Sequence, residues 1–352
     1  MRSSYDYVAG IGGIGSGILF QLVGNHTLGR NESRQAQLTD SKDYCKLHII
    51  LHYISTFLKG TLPVYAIGRV GKDENGRLLK ESMSCAGINV KCVGEDIHNP
   101  TMYAVCYQYP NGECCNISTE NSACLGVGEK DVDRFFQAVP EKGAGVILAV
   151  PEVPVRTRVY LLEKGRERGC CNVASVLSGE VKEFIELGGV EKTDILAINE
   201  EEANRFVEQE RGSEAGTEDI AEACLEILQR YNPDICTIIT LGERGACTGW
   251  RDKRYRSEAM EVPVVSTAGA GDCLIGTVIA ALLAGIDLFP AGDPKNEAAG
   301  ALDLGVLASA KKVGCKDTID FSMDTDNLLT FAGEYGISFS DALLPFFERE
   351  KN

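Results

Sequence analysis

The sequence has no long hydrophobic run: nowhere do about 18 apolar residues follow one another without interruption. A membrane-spanning helix needs such a run, so no membrane partner is expected. The N-terminal segment also lacks the apolar centre of an export signal, because Asp6 and several glycines stand where that centre would lie. These absences predict a cytoplasmic protein.

Positive charge is scarce. The 352 residues include 35 lysines and arginines against 51 aspartates and glutamates, which gives a formal net charge of -16. A surface of this kind repels the phosphate backbone of nucleic acids, so no nucleic-acid partner is expected. An acidic balance is common among cytosolic enzymes and indicates little else about function.

Metal-binding and redox motifs of the Cys-x-x-Cys type are missing, although the chain contains 14 cysteines. Most of the cysteines lie in apolar stretches and are predicted to be small buried hydrophobic residues in a reducing compartment. Only four histidines occur. Two of them, His48 and His52, are four residues apart on a predicted helix. They form either one polar helix face or part of a metal site.

What the sequence does contain is a regular alternation of strand-like and helical runs. Short β-branched runs bounded by glycine or proline predict strands at 61–68, 145–150, 171–177, 195–200 and 235–242. Apolar residues recur at helical spacing over 131–139, 155–169 and 217–231. This alternation predicts an α/β protein, a three-layer sandwich whose mostly parallel central sheet is covered by helices on both faces.

One stretch departs from the alternation. Residues 100–122 have the pattern of two strands around Pro110-Asn111-Gly112, and Asn-Gly between alternating runs is a strong hairpin signal. We expect a small β-sheet lid, formed by approximately 13–40 and 99–122, to project from a single domain that spans 1–352. Near the end of the chain, 341–348 predicts either a short terminal helix or a contact with a partner.

Gly10, Gly12 and Gly15 spell G-x-G-x-x-G after a strand-like run, the pattern of a dinucleotide-binding loop. Such a loop must open a helix, and an acid must end the next strand about 20 residues later. Here the glycines lead into ILFQLVG, which has the pattern of another extended run, and Glu32 stands in a polar stretch. Gly12, Gly13 and Gly15 are therefore predicted to lie beside a ligand pocket, where absent side chains admit a close or bulky ligand.

The most informative segment lies near the other end of the chain. A strand is predicted at Val262–Val265, then a glycine-rich turn, then an apolar helix over 272–284. Free N–H groups and the helix dipole make such a turn an anion site, and Gly269 and Gly271 let the backbone approach the anion. Asp272 is either a helix cap or a base that takes the proton of a hydroxyl attacking phosphorus.

The segment Ser-Thr-Ala-Gly-Ala-Gly-Asp resembles the second signature, D-T-x-G-A-G-D, of the ribokinase-like (PfkB) carbohydrate kinases. The resemblance implies that Asp272 is the catalytic base and that the amides of Gly269, Ala270 and Gly271 surround the transferring phosphoryl group. It also implies that Thr267 contacts ATP.

Three further stretches resemble the same family in the right order, and the resemblance covers roughly residues 60–315. Gly68-Arg-Val-Gly71-Lys-Asp-Glu-Asn-Gly76 looks like the G-x-V-G-x-D-x-x-G turn. Asn199-Glu-Glu-Glu202 resembles N-x-x-E, which implies that both end residues organise Mg²⁺ and phosphate, Glu202 through water. Thr240-Leu-Gly242-Glu-Arg-Gly245 resembles the loop along ATP, which implies nucleotide contacts for Thr240, Gly242 and Gly245. Taken singly, each stretch has another interpretation. The first is also typical of ordinary turns, the second of a solvated helix start and the third of a strand exit.

The N-terminal part departs from the family pattern. The aspartate that ends the first strand in the family and binds sugar hydroxyls has no equivalent in Gly12–Gly17, and the G-G-x-x-x-N motif is missing. Arg34, Asp43 and Lys46 in the replacing segment either contact an unusual or charged substrate or belong to a solvated loop. Ser266 replaces an aspartate that helps to bind the ion in relatives activated by a monovalent cation, which puts potassium activation in question.

The resemblance implies an ATP- and Mg²⁺-dependent kinase that phosphorylates a hydroxyl of a sugar or sugar-like small molecule. Two alternatives remain open from the sequence: a non-catalytic ligand-binding or regulatory protein of the same fold, and a nicotinamide- or flavin-dependent oxidoreductase. Relatives often pair through the lid, and exposed sheet edges favour pairing, so a homodimer is an expected partner state.

Overall fold

The structure is a computed structural model. It describes residues 5–39, 42–110, 114–139, 143–211, 219–290 and 297–348. In chain order the strands are β1 (Tyr7–Ile11), β2 (Gly15–Leu22), β3 (Ala36–Leu38), β4 (Asp43–Tyr44), β5 (Val64–Gly71), β6 (Ile88–Asp96), β7 (Met102–Gln108), β8 (Cys114–Ser118), β9 (Gly145–Ala149), β10 (Cys171–Ala174), β11 (Ile195–Asn199), β12 (Cys236–Thr240), β13 (Ala246–Trp250), β14 (Lys253–Ser257), β15 (Glu297–Ala298) and β16 (Ser338–Phe339).

The α-helices are α1 (Lys46–Leu58), α2 (Glu74–Cys85), α3 (Glu129–Ala138), α4 (Val155–Glu167), α5 (Val181–Glu186), α6 (Glu200–Arg211), α7 (Ile220–Tyr231), α8 (Ala270–Leu283), α9 (Ala301–Lys312), α10 (Thr325–Glu334) and α11 (Leu344–Phe347). None of these helices is long and apolar enough to cross a membrane, within the ranges given above.

Nine strands form the central sheet, in the spatial order β14-β13-β12-β11-β10-β9-β1-β5-β6. Neighbours from β12 to β6 run parallel, and β13 and β14 are antiparallel additions at one edge. The predicted α/β class with a mostly parallel sheet is confirmed. The antiparallel β13–β14 pair was not among the sequence-based predictions.

Both faces of the sheet are buried, as the side-chain alternation of the central strand β1 shows. Tyr7 and Ala9 contribute to one hydrophobic core, and Val8 between them contributes to the other. The first core contains residues of α3 to α7, and the second contains residues of α1, α2, α8 and α9. The result is the three-layer arrangement in which a parallel sheet is covered on both sides.

A second sheet of five strands is built around β2, which pairs antiparallel with β3 and β4 and parallel with β7. β8 pairs antiparallel with β7 and completes the sheet. Asn111 and Gly112 of the predicted turn lie outside the described residues. This smaller sheet contributes one wall of the site described below.

The strand predicted at Val262–Val265 is not present. This segment pairs with no other strand, and Val264 and Val265 are 61% and 63% exposed. The amides of Val265 and Ser266 donate instead to the carbonyl of Val313, just after α9. β-branched residues favoured a strand here, but no neighbouring strand offers a ladder of hydrogen bonds.

Candidate active site

The carboxyl ends of β1, β9, β11 and β12 open towards one edge of the sheet, where ligands bind in open α/β folds. The amino end of α8 lies at the same edge, because Thr240 at the end of β12 and Gly271 of α8 line one cavity. The fold therefore brings together segments that are distant from one another in the sequence.

The turn before α8 is fixed by one glycine. Gly269 caps the helix with a φ of +79°, and a Cβ there would lie 2.3 Å from the carbonyl oxygen of Thr318. Only glycine adopts this conformation at such close approach without strain. Asp272 follows in the first turn of the helix.

The turn lies between two cavities. The larger, of about 1030 Å³, contains six of the residues that the sequence assigned to ATP or the phosphoryl group: Thr240, Gly242, Gly245, Thr267, Ala270 and Gly271. The smaller, of about 250 Å³, is lined by Gly269 and Asp272 and by residues of the second sheet, α1 and the segment after β9.

Lys46, the first residue of α1, forms an ion pair with Asp272 in the smaller cavity, with 2.6 Å between Nζ and Oδ1. Burial alone lowers the pKa of the Lys46 ammonium, but Asp272, Glu202 and Glu152 together raise it above its ordinary value. The sequence left Lys46 open between a substrate contact and a solvated loop, and the structure places it directly against the predicted base.

Glu152 is a second acid of this cavity, which the sequence analysis missed. Its Oε2 is buried without a hydrogen-bond partner, and its φ of +75° is uncommon for a residue other than glycine. Burial raises the pKa of Glu152 to about 7, and the negative charge of Asp272 contributes to the same shift. The sequence feature that could have identified Glu152 is its position directly after the carboxyl end of a predicted strand.

The glycines after β1 are explained by packing against protein atoms. A Cβ on Gly13 would lie 2.4 Å from Cβ and 2.5 Å from Oε2 of Glu152. Gly12 packs in the same way against Val150, and Gly15 against the backbone of Met102. The space beside these glycines, which the sequence analysis assigned to a ligand, is thus filled by protein atoms. At Gly13 these atoms belong to the Glu152 carboxylate, from the segment after β9.

Asn199 and Glu202 form a reciprocal cap at the start of α6. The amide of Asn199 donates to Glu202 Oε2, and the amide of Glu202 donates to Asn199 Oδ1, both at 2.8 Å. Glu202 is only 6% exposed, and burial raises its pKa above the ordinary value. A buried carboxylate with a raised pKa fits a nearby cation, and oxygen ligands suit Mg²⁺.

Other candidates lie away from these cavities. Arg34 pairs with Glu32 and donates to carbonyls of the β2–β3 loop, and it is not among the residues that line the smaller cavity. Asp73, in the predicted Gly68–Gly76 turn, caps α2 and accepts from Thr101, so this turn fixes the second sheet to the first.

The histidine pair is buried, so it does not form a polar face of the helix. His48 and His52 are 0% and 6% exposed and pack against Tyr44 and Phe321. Burial lowers the pKa of His48 to about 3 and that of His52 to about 4. No group of three or more metal-ligating side chains occurs in the part of the chain that the structure describes.

The sequence profile described as pfkB family carbohydrate kinase matches residues 53–326. The chain belongs to this family. The match confirms the resemblance seen in the motifs, and the protein is a carbohydrate kinase by family, with the family's ATP-dependent phosphorylation of a sugar-like molecule. Lys46 and the glycines after β1 lie outside the matched range.

Two relatives bear kinase names. This chain is 27% identical to a 2-dehydro-3-deoxygluconokinase of Thermoproteus tenax over 265 residues, 71% of this chain and 74% of that protein. It is 23% identical to a ribokinase of Arabidopsis thaliana over 228 residues, 63% and 58% of the two chains. The solved ribokinase of Giardia lamblia superposes with a TM-score of 0.77 at 18% identity, covering 94% of this chain and 100% of that one.

The family assignment also decides against the oxidoreductase interpretation of the first glycines. β1 continues through Gly12 and Gly13 into the strand β2, whereas a dinucleotide loop opens a helix. At this point the chain passes from the central sheet, which contains β1, into the second sheet, which contains β2.

Proposed function

We propose that this pfkB kinase transfers the γ-phosphoryl group of ATP to a hydroxyl of a small, uncharged sugar-like molecule, with Asp272 as the general base. One observation carries the proposal: the turn that bears Asp272 separates a nucleotide-sized cavity from a smaller one lined in part by charged side chains. A phosphoryl group crossing this turn would pass from the first cavity to the second.

The larger cavity would hold ATP. Its lining combines an apolar part, with Val262, Leu274 and Val306, and the amides at the start of α8. Apolar side chains suit a purine base, and a helix amino end suits phosphate. The amides of Gly269, Ala270 and Gly271 would stabilise the charge of the phosphoryl group during transfer.

The smaller cavity would hold the acceptor. Asp272 would accept the proton of the attacking hydroxyl, the usual task of a carboxylate in phosphoryl transfer. Lys46 contacts Oδ1 of Asp272, so the hydroxyl would approach the other carboxylate oxygen. The ammonium would hold this carboxylate in one orientation and offset part of the local negative charge.

Charge argues for an uncharged acceptor. The lining of the smaller cavity includes three carboxyl groups, Asp43, Glu152 and Asp272, of which Glu152 with its pKa of about 7 is partly ionised at neutral pH, and one ammonium, Lys46. That ammonium is already paired with Asp272. Like charges about 4 Å apart cost about 4 kcal/mol at an effective dielectric constant of about 20, so a carboxylate on the acceptor would be strongly disfavoured.

Mg²⁺ would be held with the help of Glu202, with Asn199 orienting that carboxylate through the reciprocal cap. When bound, the ion supplies positive charge to the phosphate oxygens. This chain's own contribution is a buried carboxylate, just after the carboxyl end of β11, that accepts one hydrogen bond from the backbone amide of Asn199.

The sharpest test of the base is Asp272→Asn. We expect kcat to fall about 10²- to 10⁴-fold, the usual contribution of a general base, with ATP affinity nearly unchanged. Asp43→Asn is the matched control, because it removes another carboxylate of the same cavity. It should alter the KM for the acceptor more than kcat. Normal turnover by Asp272→Asn would show that the assigned mechanism is wrong.

A panel of acceptors tests the charge argument. D-ribose, D-fructose and ribitol represent neutral acceptors, and D-gluconate and 2-dehydro-3-deoxygluconate represent sugar acids. We expect kcat/KM to favour a neutral acceptor by on the order of 100-fold or more, given the charge of the cavity. A faster reaction with either sugar acid would contradict this part of the proposal and would assign Lys46 to the acceptor's carboxylate.

A further inference from the structure

The turn that carries the predicted anion hole is held from behind by a lysine. Lys312, the last residue of α9, is 0% exposed. Its ammonium donates to the carbonyl oxygen of Ser266, at 3.2 Å, and to that of Ala268. No carboxylate of the described ranges lies within ion-pair distance of this ammonium. Backbone carbonyls are therefore its principal partners.

A buried ammonium without a carboxylate partner destabilises the folded state unless dipoles compensate for its lost hydration. Here the compensating dipoles are the two carbonyls of the turn and the carboxyl end of α9, which favours a positive charge. Burial lowers the pKa of Lys312, and neighbouring thiols and carboxylates, Cys273 first, oppose that shift. The turn and the carboxyl end of α9 thus form a binding site for a cation inside the protein, and the Lys312 ammonium occupies it.

The contact also sets the direction of the amides. The carbonyl and the following N–H of a trans peptide point in opposite directions, and the described residues contain no cis peptide. A carbonyl of Ala268 turned towards Lys312 therefore turns the N–H of Gly269 away from it. In the same way, the carbonyl of Ser266 turns the N–H of Thr267 away.

The same turn is clamped at three more points. The amides of Val265 and Ser266 donate to the carbonyl of Val313, and the hydroxyl of Ser309 donates to the carbonyl of Ala270 at 3.1 Å. Every one of these contacts comes from α9 or the residue after it. Lys312 is the one charged group in this set.

Potassium does not fit this place. Ser266 stands where cation-activated relatives carry an ion-binding aspartate, and the carbonyl of Ser266 is already taken by an ammonium. We propose that Lys312 is a built-in cation that positions the phosphate-binding turn, so that this protein binds and uses ATP without a monovalent metal ion. The proposal rests on the assignment of ATP to the larger cavity.

Calorimetric titration with ATP and Mg²⁺ tests the proposal without knowledge of the acceptor. Wild-type protein should bind ATP with the same Kd in potassium chloride and in choline chloride, within about twofold. Lys312→Ala should bind ATP at least about 10-fold more weakly in choline chloride, because misplacement of binding groups by about 1 Å costs up to about 100-fold. Methylammonium or potassium should restore most of that loss by filling the space.

Lys311→Ala is the matched control. Lys311 is the neighbouring lysine of the same helix, but it pairs with Asp320 at 2.6 Å and does not contact the turn. Its loss should lower the melting temperature without weakening ATP binding, and added methylammonium should change nothing. Recovery by a small cation in Lys312→Ala alone is an effect that a merely structural role would not produce.

Three results would overturn the proposal: potassium-dependent ATP binding by the wild type, unchanged affinity in Lys312→Ala, or no recovery with any small cation. If Lys312→Ala does not fold, Lys312→Met retains the buried volume without the charge, and unchanged ATP affinity in that variant would be equally decisive. Failure of the proposed kinase function has a different signature, a silent acceptor panel with ATP binding intact.

Discussion

Glu152 shows how one side chain changes the interpretation of several others. Its carboxylate occupies the space that Gly13 leaves open, and it shares the smaller cavity with Asp272 and Lys46. The family's aspartate at the end of β1 is missing, yet a carboxylate lies beside the same position, supplied from the segment after β9. A missing motif residue therefore does not leave the pocket without an acid.

This placement predicts a pH-dependent stability. The pKa of Glu152 rises from 4.5 to about 7 on folding, so between these values the folded state binds more protons than the unfolded state. The free energy of unfolding should therefore decrease as the pH rises through this window. Between pH 5 and 8 the loss attributable to Glu152 is about 2–3 kcal/mol.

Glu152→Gln removes this titration. The variant should be more stable than wild type at pH 8 by about 2 kcal/mol, with the difference shrinking towards pH 5. Urea unfolding of both proteins at several pH values measures it. A constant difference between the two proteins across the window would show that the Glu152 carboxyl is not shifted.

Among the elements, the turn before α8 was the part best anticipated from sequence. The glycine spacing and the apolar run after it predicted a helix amino end, and α8 begins at Ala270. The strand predicted before it failed, because β-branched residues signal an extended backbone but not the presence of a pairing partner. The contacts from Lys312 and Thr318 are long-range, and nothing in the local pattern indicates them.

Gly269→Ala tests how strictly this turn is specified. Gly285, at the other end of α8, also has a positive φ, of +87°, but a Cβ there meets no atom within 4 Å. Both alanine variants are destabilised by about 1–2 kcal/mol, because alanine is strained in the left-handed conformation. Only Gly269→Ala adds a clash with the Thr318 carbonyl, so it should be less stable than Gly285→Ala by at least about 1 kcal/mol.

Thermal and urea unfolding of the two variants measure that difference. Gly269→Ala should also weaken ATP binding, because the amides of the turn must shift to relieve the clash. Equal stabilities of the two variants would mean that the Thr318 carbonyl does not press on Gly269 in solution.

At the scale of the whole molecule, local patterns predicted the layers but not the convergence of distant segments. The strand and helix alternation gave the sheet, and motif order gave the family. The smaller cavity instead combines residues from β4, α1, β7, the segment after β9 and the turn before α8. Which of these side chains meet depends on packing between the two sheets and α1, which sequence spacing does not encode.

The C-terminal segment illustrates the same limit, since the sequence left a terminal helix and a partner contact equally open. In the structure Leu343 and Phe346 are 0% and 1% exposed within the core, and Phe346 lies against Phe57 of α1 with ring centroids 5.1 Å apart. α1 also carries Lys46 at its other end. The tail thus supports the helix that reaches the predicted base.

Phe346→Ala should lower the free energy of unfolding by about 3–5 kcal/mol, since it removes a fully buried aromatic ring and leaves a cavity. Leu344→Ala is the matched control from the same short helix, because Leu344 is 46% exposed and its loss should change stability by about 0.5 kcal/mol or less. Urea unfolding of both variants separates the two expectations. Equal small effects would mean that the tail is not part of the folded core, and the support that it gives to α1 and Lys46 would then be absent in solution.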